Sequence, residues 1–208
     1  MTRRIVLLLA LLLPFSACAA PPAPAVVEGV HYETLPQPGT FLPVKKGQVE
    51  IVEVFAYTCS HCASFAPKLD AWKATLPANV VVRYSPAGYN LGEPLSRAYF
   101  ASEALGALGL THLNTFDALH GARTLPMNPT EREIAAYYGT LGVDATKFQA
   151  AMDGPKVMQR MQAARNFSMR IGLKGTPTLI VAGKYRVLGD TVDDVLSNAR
   201  ELAIHPPQ

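Results

Sequence analysis

Residues 50–67 read E-I-V-E-V-F-A-Y-T-C-S-H-C-A-S-F-A-P. The first eight are β-branched, aromatic or apolar on both faces of an extended chain, apart from two glutamates, and so predict a strand buried inside a sheet covered by helices. From Cys59 to about Leu76 the apolar positions Phe65, Leu69, Trp72 and Leu76 recur at spacings of four, three and four, which is the helical period. Pro67 lies inside that helix and predicts a kink. A strand feeding straight into a helix puts Cys59 at the helix N-terminus and Cys62 one turn further in.

Working outward, the run N-V-V-V-R-Y at 79–84 predicts a second strand. From about Leu91 to Arg170 the pattern is a string of helices. Asn128-Pro129-Thr130-Glu131 predicts a helix start with Asn128 as cap, Pro129 in the first helical position and Glu131 reaching back to the cap. Asp144 opens a short helix, and Gly154-Pro155 opens a longer one ending near Gly172. Thr178–Val181 and Tyr185–Leu188 flank Ala-Gly-Lys and predict an antiparallel hairpin. A last helix, capped by Asp190 or Thr191, runs to about Ile204. The order of strand, helix, strand, helical block, strand, strand, helix predicts an α/β fold, and 208 residues with 49% apolar content suffice for one sizeable core.

The chain opens M-T-R-R-I-V-L-L-L-A-L-L-L-P-F-S-A-C-A-A: a basic head, an apolar run from Ile5 to Leu13 and a small-residue end. This is the pattern of a secretory signal, and the run is about half the roughly 20 residues a membrane span needs. Two processing routes remain open. Ala17-Cys18-Ala19 fits a cleavage site that removes residues 1–19 with Cys18; Phe15-Ser16-Ala17-Cys18 is similar to a lipobox, which makes residues 1–17 the signal and Cys18 the acylated first residue. Residues 20–30, rich in Pro and Ala, form a stiff tether. Losing Arg3 and Arg4 lowers the formal charge from +3 to +1, which gives no footprint for a nucleic acid.

Cys59 and Cys62 are then the cysteines that matter, and four chemistries compete for them. A zinc site needs four ligands, and the remaining candidates His31, His112, His120 and His205 show no paired spacing, so no metal is expected. Covalent haem attachment needs C-x-x-C-H, and position 63 is alanine. A structural staple across so short a loop removes little unfolded-chain entropy. A redox couple has physical support: unpaired N–H groups and the positive end of the helix dipole favour a thiolate at Cys59, and His61 beside it adds a further stabilising partner. A stabilised thiolate leaves readily, which makes the disulfide oxidising. Cys62 is expected to be the buried partner. Glu53 stands amid Ile51, Val52, Val54 and Phe55; it is either an edge-facing glutamate or a buried carboxylate of raised pKa able to exchange a proton with Cys62.

Together F-A-Y-T-C-S-H-C, Pro67 five residues after the second cysteine, Glu53 six before the first, G-T-P-T-L-I-V-A-G-K-Y at 175–185 and the intervening helical block resemble the thioredoxin superfamily, specifically the DsbA-like periplasmic thiol:disulfide oxidoreductases. The resemblance implies a thioredoxin-like fold formed by residues 31–90 and 171–208, with a helical insertion domain at 91–170. It implies a redox-active Cys59–Cys62 disulfide, a cis Pro177 facing it, substrate contacts along Thr176 and Pro177, and Arg83 near the buried acid Glu53. Two residues depart from the usual DsbA pattern: Ser60 stands where proline is usual, and Thr176 where valine is usual. Both positions touch the reactive sulfur and tune its potential.

The resulting expectation is an exported protein dithiol oxidase that needs no cofactor. It donates the Cys59–Cys62 disulfide to folding exported proteins with free thiols and is reoxidised by a DsbB-like membrane quinone reductase. A monomer is expected, in the periplasm, either soluble or lipid-anchored. The alternatives are a thiol reductase or isomerase on the same fold, and a peptide-binding chaperone module with an inert disulfide.

Overall fold

The structure is a computed structural model, and residues 26–207 are described. The leader, both processing routes, Cys18 and most of the Pro/Ala segment fall outside the described residues. Five strands form one mixed sheet: β1 (Tyr32–Thr34), β2 (Val49–Phe55), β3 (Val80–Pro86), β4 (Thr178–Val181) and β5 (Tyr185–Val187), in the order β1-β5-β4-β2-β3. β2 pairs in parallel with β3 and antiparallel with β4, so its residues are flanked on both sides. Glu50 through Phe55 are all buried, as the doubly apolar pattern predicts. β1, too short to show a period, is a strand the sequence does not announce; it pairs antiparallel with β5.

α1 (Ser60–Lys73) follows β2 and continues through Pro67. Between β3 and β4 lie α2 (Pro94–Ala104), α3 (Leu108–Phe116), α4 (Glu131–Thr140), α5 (Ala145–Met152) and α6 (Pro155–Arg170), and α7 (Val192–Ile204) closes the chain. Two predicted helix starts hold, Asp144 capping Lys147 N–H and Pro155 opening α6 behind Gly154. The start predicted at Asn128 is displaced. Thr130 caps α4, its hydroxyl accepting from Glu133 N–H while the Glu133 carboxylate accepts from Thr130 N–H. This reciprocal box satisfies two terminal donors, more than Asn128 and Glu131 offer. Of the two caps considered for α7, Thr191 serves, again in a box, with Asp194.

Two apolar clusters flank the sheet. One gathers Phe55, Tyr57, Cys62 and Tyr99 with α2–α6, and the other Ile51, Phe65, Leu69 and Leu179 with α7. The β2–α1 junction sits where they meet.

Candidate active site

β2 ends at Phe55, and a turn closed by the Cys59 N–H donating to the Ala56 carbonyl at 3.1 Å delivers Cys59 to the start of α1. Cys59 is itself the N-cap, with extended backbone (φ −82°, ψ 116°), and its Sγ accepts from Cys62 N–H at 3.4 Å. A sulfur thus takes the place that a serine or aspartate oxygen fills in ordinary caps, facing unpaired N–H groups. Across the gap, the Cys59 thiol donates to the Thr176 carbonyl at 3.2 Å. The Thr176–Pro177 bond is cis, as the resemblance implies.

The two sulfurs are treated oppositely. Burial raises the Cys59 thiol, but the Thr176 side chain and the N–H groups of Cys62 and His61 outweigh it, leaving the net value below that of an ordinary thiol. Cys62 is fully buried, and desolvation pushes it up to about 12. Of His61, the group acting on the sulfur is the main-chain N–H, with the imidazole exposed on the first turn of α1. Ser60 is also exposed, and its carbonyl accepts from the Ser64 hydroxyl.

Glu53 is not an edge residue. It lies between Tyr84 of β3 and Leu179 of β4, is completely buried, and neither carboxyl oxygen has a partner among the described residues. Desolvation, followed by the charge on Cys59, raises its pKa to about 8. Arg83 does not accompany it. Paired with Val52, Arg83 projects from the opposite face and meets Glu50, Nε to Oε1 at 3.0 Å. The period of two explains the correction: Glu50 and Val52 share Arg83's face, whereas Glu53 shares that of Tyr84. Glu50 also accepts from the N–H groups of Phe41 and Leu42, at 2.7 and 3.1 Å, so the Arg83–Glu50 pair fastens the chain entering β2.

His112 and His120, which in sequence stand only as candidate metal ligands, both meet Tyr57 in the structure. His112 on α3 shares a hydrogen with the Tyr57 hydroxyl through Nδ1 at 3.0 Å, inside a cage of Phe55, Tyr84, Tyr99 and Phe116. Burial holds its pKa down at about 4. His120 reaches the Tyr57 carbonyl through Nε2 at 2.8 Å. The available signal was His112, Phe116 and His120 at steps of four, one stripe of a helix. No cluster of metal-binding side chains occurs among the described residues.

An oxidisable cysteine pair with one sulfur favoured as thiolate, the other held neutral, and an ionisable acid beneath them is equipped for thiol–disulfide exchange. Comparison with known proteins agrees. The thioredoxin family model matches residues 43–196. DsbA of Bordetella parapertussis, a thiol:disulfide interchange protein, is 33% identical over 67% of this chain and 66% of its own length, so the match spans just under two thirds of that relative. DsbA of Azotobacter vinelandii is 32% identical over 76% of this chain and 72% of its own. Among solved structures, DsbA of Xylella fastidiosa superposes with a TM-score of 0.81 at 36% identity, covering 86% of this chain and 96% of that one. For Pseudomonas aeruginosa DsbA the values are 0.73 and 29%, with 82% and 89% covered. With family model, relatives and architecture in agreement, the chain belongs to the thioredoxin family, among its DsbA-like thiol:disulfide oxidoreductases.

Proposed function

We propose that the protein is an exported dithiol oxidase whose Cys59–Cys62 disulfide is passed to folding proteins. The observation that carries this reading is the divergence of the two sulfurs, Cys59 below and Cys62 far above the ordinary thiol value. A substrate thiolate attacks Cys59 Sγ, and the Cys59–Cys62 bond breaks with its electron pair on Cys62. That sulfur takes up a proton at once, because a buried thiol of so high a pKa does not persist as an anion. Glu53, protonated at neutral pH by its raised pKa, supplies it. The substrate's second thiolate then attacks the substrate sulfur of the mixed disulfide, and Cys59 departs as the stabilised thiolate. The substrate has lost two electrons and the enzyme holds them as a dithiol. During the mixed-disulfide stage the substrate chain lies along Thr176 and Pro177, pairing with exposed main chain in the manner of an added strand.

In this reading the protein acts as a monomer in the periplasm, soluble or held by an acylated Cys18, and a DsbB-like membrane quinone reductase removes the two electrons. No helix among the described residues is long and apolar enough to cross a membrane. Residues 91–170 form a helical insertion that encloses the site from one side. Equilibration with glutathione buffers tests the assignment. An oxidase equilibrates well above thioredoxin's potential of about −270 mV, whereas a value near it favours the reductase reading that Ser60 and Thr176 suggest. Loss of thiol–disulfide exchange with substrate in Cys59→Ala separates both from a chaperone with an inert disulfide.

A further inference from the structure

The segment between β2 and Cys59 is gripped from outside the sheet. Tyr57 is buried, and two of its polar groups are held by histidines from one helical stretch: the hydroxyl by His112 and the main-chain carbonyl by His120. His120 does not lie on α3 itself. It belongs to a wider π turn, Asp117–Gly121, closed by the Ala122 N–H donating to the Asp117 carbonyl at 2.8 Å. Such turns re-aim side chains and are frequent at functional sites. Here the extra residue in the turn leaves a half-buried imidazole aimed at a peptide unit two residues from the reactive sulfur.

We infer that His120 is a positioning residue for Cys59: by donating from Nε2 to the Tyr57 carbonyl, it fixes the turn that presents the sulfur to the N–H groups of α1. The cap bond from Cys62 N–H to Cys59 Sγ, at 3.4 Å, depends on the course of the 57–59 backbone that carries the sulfur. The helical insertion thereby sets the chemistry of a cysteine on the sheet-bearing part of the chain.

The inference rests on the oxidase reading only for its consequence; the thiol itself is read without substrate. The test titrates Cys59 thiolate absorbance, and the glutathione equilibrium, in His120→Phe, which keeps a ring without a donor, and His120→Gln, which keeps a donor without the ring. Losing one hydrogen bond to a buried carbonyl is expected to raise the Cys59 pKa by about one unit and lower the equilibrium constant about tenfold in His120→Phe, with His120→Gln restoring the parent values to within about threefold. His120→Asn, whose amide is too short to reach, repeats the donorless arm if the phenylalanine does not fold. A folded donorless variant within twofold of the parent in both readouts overturns the inference, as does a glutamine variant that falls equally far. Failure of the oxidase reading alone leaves the thiol titration standing.

Discussion

At the scale of single residues, the strongest physical demand in the molecule falls on Glu53. A carboxyl group buried between two strands, with no hydrogen-bond partner among the described residues, is ordinarily replaced by an apolar residue, because burying it costs several kcal/mol when charged. Its pKa of about 8 against 4.5 for an exposed glutamate means that the folded protein keeps a proton the unfolded chain has released. Stability is therefore fully present below about pH 4.5 and is lost as pH rises through about 8. A displacement of this size corresponds to on the order of 5 kcal/mol. Glu53→Gln keeps the shape and removes the titration. Between pH 5 and 8 the guanidinium midpoint of the reduced variant should gain steadily on that of the parent, which alone carries the Glu53 loss. On the proposed role of Glu53 as proton source for Cys62, the same substitution should slow disulfide exchange; a variant with parental rates and a parental pH profile contradicts that role.

At the scale of elements, strand register decides which acid serves which purpose. Glu50 and Glu53 look alike in sequence, yet an odd separation of three puts them on opposite faces of β2. Arg83→Met breaks the pair with Glu50 and should destabilise the fold by about 1–3 kcal/mol, while the Cys59 titration stays put. A shift in that titration would mean that Arg83 acts on the cysteines after all. Thr130→Ala removes one half of the α4 box and should cost about 1 kcal/mol, read as a lower denaturation midpoint, again without effect on the thiols. Much of this was legible beforehand. The doubly apolar β2, the helical period of α1, the helix starts at Asp144 and Pro155 and the hairpin around Gly183 follow from local pattern. Legibility ended where a residue's meaning depends on what faces it across space. Arg83 reads as a partner for Glu53 until the pleat is known. Asn128 reads as a cap until Thr130 outcompetes it. His112 and His120 carry no sign of Tyr57, 55 and 63 positions away.

At the scale of the whole molecule, the sulfur chemistry is a difference in folding free energy between two covalent states. Closing the loop from Cys59 to Cys62 stabilises the oxidised protein little, because so small a ring restricts the unfolded chain slightly. Opening it creates a Cys59 thiol that the fold holds below the ordinary value of 9.0. At Cys59 the folded reduced state thus binds fewer protons than the unfolded one, and the gain from reduction appears as pH rises through the folded Cys59 pKa, growing until the unfolded thiol also ionises. Denaturation of both redox forms should find the reduced protein the more stable once pH exceeds the folded Cys59 pKa, with the gap closing in acid. Glu53 modifies this curve, since the Cys59 charge raises its pKa and an ionised Glu53 must by linkage raise that of Cys59 in turn. Above about pH 8 the two negative charges oppose each other and the gap should stop widening, whereas in Glu53→Gln it should keep widening toward pH 9. An oxidised form that is the more stable across the whole range would make the bridge a staple, because an oxidant of this kind draws its driving force from the greater stability of its own reduced fold.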